Sequence, residues 1–223
     1  VHDFGTRRVF ESAAVDTCIF NVRKASKSPA VTNHQMATTE EVSSSTQASR
    51  DVMRSAANWV PFLLSPNRQA VLEKMKRFPA LAALGVRATS SAIVSEAYQI
   101  AKFVEDIKEP DESYFKLINT GTIDPFRTFW GERSTKYLGS TYMHPVVKAS
   151  ALGEINPTRL AQAQLPKLVI IGMGNVEAFW DSRGEFLAGK TTSIVFDSES
   201  DRPDFLCLIH AVMNSSLGRF WFR

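Results

Sequence analysis

The sequence predicts an α+β protein, and three observations support this class. Short runs of β-branched and aromatic residues, typical of strands, occur at 114–118 and 168–171. Apolar residues at helical spacing predict one helix near Val71, Leu72 and Met75 and a longer helix over 204–217. The chain has 223 residues, 44% of them hydrophobic, which is enough for one sizeable core.

Residues 51–106 are predicted to be a helical lead-in. Ser65 is suited to cap a helix and Pro66 to occupy its first turn. Residues 87–91 are expected to form a polar loop. Periodicity leaves both a strand and a helix open for 95–104.

The first fifty residues contain two different patterns. Apolar and polar residues partly alternate over 7–24, which predicts an N-terminal pair of β-strands. Residues 25–50 are rich in serine and threonine and hold few sizeable apolar side chains. Such a segment cannot bury enough apolar surface to order itself, so it is predicted to be a flexible linker.

Charge and cysteine content bound the class of protein. The net charge is +3 and the isoelectric point about 8.9, compatible with a polyanionic partner but not diagnostic of one. No apolar run approaches the roughly 18 residues of a membrane span, so no membrane partner and a cytoplasmic location are expected. The two cysteines, Cys18 and Cys207, lie among apolar residues and are expected to be buried free thiols.

Residues 184–191 match the phosphate-loop pattern GxxxxGK[ST]. A phosphate loop must lead into a helix, whose N-terminus meets the phosphates. The next residues, 192–196, are typical of a strand, so nucleotide binding is not expected. The segment 172–177 begins like a dinucleotide-binding turn but lacks its third glycine, and a strand is expected after it.

Residues 126–148 mix cations with aromatic residues. They contain Arg127, Arg133, Lys136, Lys148, Phe126, Phe129, Trp130, Tyr137 and Tyr142, with Glu132 as the acid. Cations of this kind fix a phosphate backbone, while planar groups contact bases. Core positions are favoured for Phe129 and Trp130, whereas Arg133, Lys136 and Tyr137 are equally compatible with DNA contact and with an ordinary surface.

Three segments in a fixed order carry a family resemblance. They contain Asn119-Thr-Gly-Thr-Ile-Asp-Pro125, Lys167-Leu-Val-Ile-Ile-Gly-Met173 and Leu187-Ala-Gly-Lys-Thr-Thr192. Together they resemble the TaqI-like C-terminal specificity domain, the target-recognition part of adenine-specific DNA methyltransferases and restriction–modification enzymes. The resemblance covers about 65–223. This chain has Ala88-Thr-Ser90 where many relatives carry a Gly-x-x-Thr-Gly turn.

The resemblance implies that 107–223 form a mixed α/β target-recognition domain, with a twisted, mostly antiparallel sheet and flanking helices. Asp3-Phe-Gly-Thr-Arg-Arg-Val-Phe10 is similar to a block that closes the methyltransferase sheet. Residues 1–24 are therefore expected to be its remnant strands, and the chain a piece of a larger enzyme. Double-stranded DNA and the methyltransferase domain of the same parent chain are the implied partners. The candidate DNA contacts are Arg87, Thr89, Arg127, Arg133, Lys136, Tyr137, Lys190 and Thr191.

The chemical motifs of the resembled methyltransferases are absent from the sequence. It holds neither a Phe-x-Gly-x-Gly turn for S-adenosylmethionine nor an Asn-Pro-Pro-Tyr box for a flipped adenine; Asn156-Pro157 lacks the second proline. No catalytic, cofactor or metal site is expected in this chain, and S-adenosylmethionine is assigned to the parent enzyme. The alternative is a protein-interaction or structural domain of the same fold without DNA binding.

Overall fold

A computed structural model describes residues 2–4, 18–19, 30–36, 42–49, 66–171, 176–190, 192–197 and 202–221. These residues form helices and mostly antiparallel sheets, so the predicted α+β class is confirmed. They divide into two compact units, Val1–Pro79 and Ala80–Arg223.

The described residues of the first unit form a four-stranded sheet and one helix. Its elements are β1 (His2–Asp3), β2 (Cys18–Ile19), β3 (Ala30–Met36), β4 (Val42–Ser49) and α1 (Pro66–Met75). The sheet order is β2-β1-β3-β4. The antiparallel pair β3–β4 lies within 25–50, where the sequence predicts a flexible linker, so this part of the chain is structured where no structure was expected. Backbone hydrogen bonds join such strands, and this pairing does not require an apolar side-chain pattern.

Two N-terminal predictions fall largely outside the described residues. The predicted strand pair spans 7–24, of which only Cys18–Ile19 are described; they pair with His2–Asp3. Ser65, the expected helix cap, also lies outside. Helix α1 begins at Pro66 as predicted.

The first sheet of the second unit has the antiparallel order β14-β13-β16-β5. Its strands are β5 (Val86–Ser90), β13 (Lys167–Ile171), β14 (Ala178–Asp181) and β16 (Thr192–Asp197). The strands predicted at 168–171 and 192–196 are thus confirmed within one residue. The polar loop predicted over 87–91 is wrong, because residues 87–90 pair with β16 as part of an edge strand.

The second sheet has the order β15-β7-β12-β6, with β15 parallel to β7 and the other pairs antiparallel. Its strands are β6 (Val104–Asp106), β7 (Tyr114–Ile118), β12 (Pro145–Lys148) and β15 (Phe186–Ala188). Helices α2 (Val94–Ile100), α3 (Ala149–Ile155) and α4 (Pro157–Gln164) are the next three helices of the chain. Leu117 and Val147 of the sheet share a buried cluster with Ile100, Leu152 and Ala163 of these helices.

Side chains of the first sheet alternate between its two faces, and each face contributes to a different buried cluster. Leu168 and Ile170 share one cluster with Ile209 of helix α5 (Pro203–Asn214). Val169 and Ile194 share the other cluster with residues of the second sheet. Strand β13 therefore packs against a buried cluster on each of its two faces, and it is buried along nearly its whole length.

Two short hairpins complete the unit. Strands β8 (Ile123–Asp124) and β9 (Arg127–Thr128) form one, and β10 (Thr135–Tyr137) and β11 (Ser140–Tyr142) form the other. The second hairpin turns at Leu138 and Gly139, both with positive φ, as a type I′ turn requires. These hairpins carry three of the predicted DNA-contacting residues, Arg127, Lys136 and Tyr137, and Arg133 lies between the two hairpins.

A buried ion pair joins the start of β13 to the end of β14. Lys167 and Asp181 are 1% and 2% exposed, and the Lys167 Nζ lies 2.5 Å from the Asp181 Oδ2. Nζ also donates to the carbonyl oxygens of Ala163 and Leu165, and the Asp181 carboxylate accepts the backbone N–H groups of Glu185 and Phe186. The pair therefore ties three segments together.

The predicted helix over 204–217 occurs as α5 followed by α6 (Ser216–Trp221), with Ser215 between them. Cys207 is exposed on α5, so its predicted burial is wrong. Leu206 and Ile209 beside it are buried, whereas Cys207 lies on the solvent side of the helix with Leu208, which is 59% exposed. Among the helices of the described residues, none has the length and apolar character needed to cross a membrane.

Candidate nucleic-acid interface

Two arginines flank one aromatic ring on the surface. The guanidinium carbons of Arg127 and Arg133 lie 4.0 and 4.1 Å from the ring centroid of Phe129. Both distances are within the range of a cation–π contact, so the one ring interacts with both guanidinium groups. Phe129 is half-buried and was expected in the core, whereas it supports two exposed cations.

Each of these arginines has an acidic neighbour. Arg127 lies 2.7 Å from Glu132, and Arg133 lies 3.7 Å from Asp124; all four side chains are more than a third exposed. Ion pairs in water contribute about 0.2–1 kcal/mol. A phosphate can therefore displace these carboxylates at small cost, while the stacking on Phe129 keeps the guanidinium groups in place.

The turn after β7 connects these arginines to two lysine-bearing segments. Arg133 Nη1 donates to the Gly121 carbonyl at 3.3 Å, and Asn119 Nδ2 donates to the Lys136 carbonyl at 3.5 Å. The backbone N–H of Gly189, next to Lys190, donates to the Ile118 carbonyl at 2.7 Å. We call Arg127, Phe129, Arg133, Lys136 and Lys190 the recognition surface.

Arg87 and Thr89 lie on edge strand β5, where they pair with Phe196 and Ile194. The Ser91 hydroxyl donates to the Gly189 carbonyl and so joins the end of β5 to the loop of Lys190. Arg87 is four residues before Ser91, roughly 13 Å along an extended strand. It is exposed but separate from the recognition surface, and Thr89 is half-buried.

Tyr137 cannot serve as the predicted surface contact. Its side chain is 2% exposed within the cluster of Leu117, Val147 and Leu152, and its hydroxyl has no hydrogen-bond partner. Burial raises the pKa of Tyr137 to about 12. Alternation along β10 explains the correction, because an exposed Lys136 requires its neighbour to face the opposite side.

Replacing Tyr137 by phenylalanine is expected to leave the fold intact and to stabilise it by about 1 kcal/mol. The substitution removes a buried polar atom without a partner, whose desolvation costs about 1–3 kcal/mol, and leaves the ring in place. Urea unfolding of both chains measures the difference. A loss of DNA affinity in the phenylalanine variant, at unchanged stability, would return Tyr137 to the list of contacts.

The segment that matches a phosphate loop has a different structure. Strand β15 begins only two residues after Gly184, and strand β16 follows Lys190, so no helix N-terminus faces this lysine. Gly184 has φ +70, and an added Cβ would lie 2.1 Å from the Gln164 carbonyl oxygen. Backbone packing thus accounts for this glycine. Thr191 and the glycines at 172 and 174 lie outside the described residues, and strand β14 follows the latter pair as expected.

The described residues also locate three groups considered for other chemistry. Asn156 caps α4 by accepting the Thr158 N–H at 2.9 Å, and its amide donates to Glu96. His210 is 7% exposed, as expected of a packed residue. Within the described ranges, no group of three or more His, Cys, Asp or Glu side chains is placed to hold a metal ion.

Trp130 and Phe126 differ in their roles. Trp130 packs against the cluster of Ile118 and Val169, and its Nε1 donates to the Pro145 carbonyl at 2.9 Å. Phe126 is 57% exposed at the tip of the β8–β9 hairpin, with φ +69. Phe126 is one of the aromatic residues of the 126–148 stretch, and Asp124-Pro125 signals a turn before it, but a turn signal does not give the sign of the next φ angle.

Comparison with models of protein families found no match for this chain, and comparison with curated proteins found none either.

Proposed function

We propose that this chain is the DNA target-recognition domain of an adenine-specific DNA methyltransferase or restriction–modification enzyme. One observation carries the proposal: two exposed guanidinium groups are held against Phe129, next to the segments that carry Lys136 and Lys190. Arginine and lysine side chains bound to phosphates give a domain its position and register on a duplex. The motif resemblance, which spans the same segments, indicates the kind of enzyme to which such a domain would belong.

The stack gives the arginines geometry as well as charge. A guanidinium group held in contact with a ring has lost much of its side-chain freedom before it meets a ligand, so little further entropy is lost on binding. Its edge keeps N–H donors that can contact two phosphate oxygens at once. The Lys136 and Lys190 ammonium groups then extend the line of phosphate contacts as point charges.

Methyl transfer and the binding of S-adenosylmethionine belong, in this proposal, to a methyltransferase domain of the same parent chain. The described residues do not fit that chemistry: Asn156, in the only Asn-Pro pair of the sequence, is committed to capping α4 and to Glu96. The expected compartment is the cytoplasm, as for the resembled enzymes. The proposal assigns no DNA cleavage to this chain.

The chain is expected to bind duplex DNA weakly and with a steep dependence on salt. Four phosphate contacts, from Arg127, Arg133, Lys136 and Lys190, predict a slope of log affinity against log salt of about −3.6. The dissociation constant should be about 10⁻⁴ to 10⁻⁶ M at physiological salt. Fluorescence anisotropy with a labelled duplex at several salt concentrations measures both quantities.

A double substitution tests whether the recognition surface is responsible. Replacing Arg133 and Lys136 together by alanine should flatten the slope by about two units. Lys102 and Lys108 are also exposed and lie outside this surface, so their double alanine variant makes the same charge change and should keep the full slope. Absent binding at low salt, or equal slopes for the two double variants, would refute the proposal.

A second candidate is the protein-interaction domain. The observation in its favour is the exposed apolar face of α5, with Leu208 and Val212 beside Cys207. Exposed apolar patches can mark protein–protein contacts. Binding of a protein partner that is insensitive to salt, with no DNA binding, would favour this candidate.

A further inference from the structure

The β8–β9 hairpin presents an exposed aromatic residue from a strained backbone. Its two-residue loop is Pro125-Phe126, and Phe126 has φ +69 with 57% of its surface exposed. Proline at the first loop position and a positive φ at the second are the pattern of a type II turn, in which glycine or asparagine usually takes the second place. The fold thus holds a bulky aromatic residue where its backbone is disfavoured.

Buried groups fix this turn from below. The Phe126 N–H donates to the Ala178 carbonyl at 3.1 Å, and the ring meets His210 edge to face with centroids 5.0 Å apart. The same carbonyl accepts His210 Nε2–H and Asn214 Nδ2–H, each at 2.9 Å. The base of the ring is therefore anchored to a buried network, and only its outer part reaches solvent.

The exposed ring is close in sequence to two exposed cations. Arg127 follows directly, and it shares the ring of Phe129 with Arg133. The anchored ring thus lies next to groups suited to phosphates, at the spacing of adjacent residues in one hairpin. A duplex seated on the recognition surface would bring a base step close to Phe126.

We propose that Phe126 is a wedge residue that stacks against a base step of duplex DNA and partly unstacks it. The inference rests on the proposed function and adds a contact that is independent of charge. Apolar wedges in other DNA-binding proteins enter base steps in this manner. Stacking against an aromatic side chain changes affinity about five- to hundredfold.

The test compares the full chain with its Phe126→Gly and Phe126→Leu variants on short duplexes that are either fully paired or carry one central mismatch. A mismatch lowers the energy of unstacking, so the unchanged chain should bind the mismatched duplex about tenfold more tightly. Phe126→Gly should lose this preference and keep the salt slope. Its melting temperature should not fall, because glycine adopts the positive φ freely.

The leucine variant keeps an apolar contact with His210 and can still enter a base step as an apolar wedge, but it has no aromatic face to stack on a base. Its preference for the mismatched duplex should therefore fall between that of the unchanged chain and that of the glycine variant. If both variants retain the preference and the affinity, the ring only packs on His210 and the inference is refuted while DNA recognition stands. If the unchanged chain binds neither duplex, the proposed function itself fails. Should the glycine variant unfold, the leucine variant alone decides.

Discussion

Replacing Asp181 by asparagine is expected to destabilise the second unit by about 3–5 kcal/mol, because it leaves the Lys167 ammonium buried without its counter-charge. Nζ would keep its two carbonyl acceptors, which satisfy its protons but not its charge. The substitution also replaces the ionised carboxylate that accepts the Glu185 and Phe186 N–H groups by a neutral amide. Urea unfolding of the two chains at neutral pH measures the difference.

The cost should shrink as pH rises. Burial lowers the pKa of Lys167, and the Asp181 carboxylate opposes that change. Without the carboxylate the pKa falls further below the unfolded value of about 10.4. At pH values between the folded and the unfolded pKa of Lys167, the unfolded chain binds more protons than the folded chain, so stability rises with pH. The rise is steeper in the variant, because its folded pKa is lower. The penalty at about pH 9 should therefore be smaller than at about pH 7.

A matched control comes from the exposed pair of Arg127 and Glu132. Replacing Glu132 by glutamine removes a carboxylate from an arginine in open solvent, and the expected cost is about 0.2–1 kcal/mol with little pH dependence. Equal costs for Asp181→Asn and Glu132→Gln would contradict the structural role assigned to the buried pair.

Replacing Gly184 by alanine is the second change with a large expected effect, a loss of about 2–5 kcal/mol. The residue has φ +70, and an added Cβ would lie 2.1 Å from the Gln164 carbonyl oxygen and 2.4 Å from its carbon. The contact is between backbones, so no side-chain rotation relieves it. Chemical denaturation of the variant gives the loss directly.

Gly139 separates the two causes. It has φ +99, but an added Cβ would meet no atom within 4 Å, so Gly139→Ala reports the backbone strain alone, about 1–2 kcal/mol. The excess for Gly184→Ala is then the cost of the overlap with α4. A cost no larger than that of Gly139→Ala would mean that the loop moves away without penalty.

Local pattern was sufficient where local chemistry decides structure. Tyr114–Ile118 and Lys167–Ile171 are runs of β-branched, aromatic and long apolar residues, and both are strands. The strand after Lys190 was also predictable, and it distinguishes this segment from a phosphate loop. The helix start at Pro66 followed from the fixed φ of proline.

The recognition surface was predicted only in part. Arg127, Arg133 and Lys136 are exposed as expected, since cations rarely enter a core. The prediction that Tyr137 contacts DNA was wrong. Tyr137 and Lys136 are neighbours on one strand and face opposite sides, which argues against both being surface contacts. Arg87 and Thr89 were placed on a loop because their segment is polar, yet an edge strand with one solvent-facing side tolerates such residues.

By itself the sequence determined the α+β class, the main strands of the second unit and the cationic character of the 126–136 segment. Only the tertiary structure decided which aromatic residues serve the surface and which the core. Phe129 supports two arginines, Phe126 projects from a strained turn and Tyr137 is buried, although all three stand in similar surroundings along the chain. Phe126 meets Ala178 and His210, and Tyr137 shares a cluster with Leu152; these neighbours are distant in sequence, and contacts between such distant residues leave no periodic pattern in the chain.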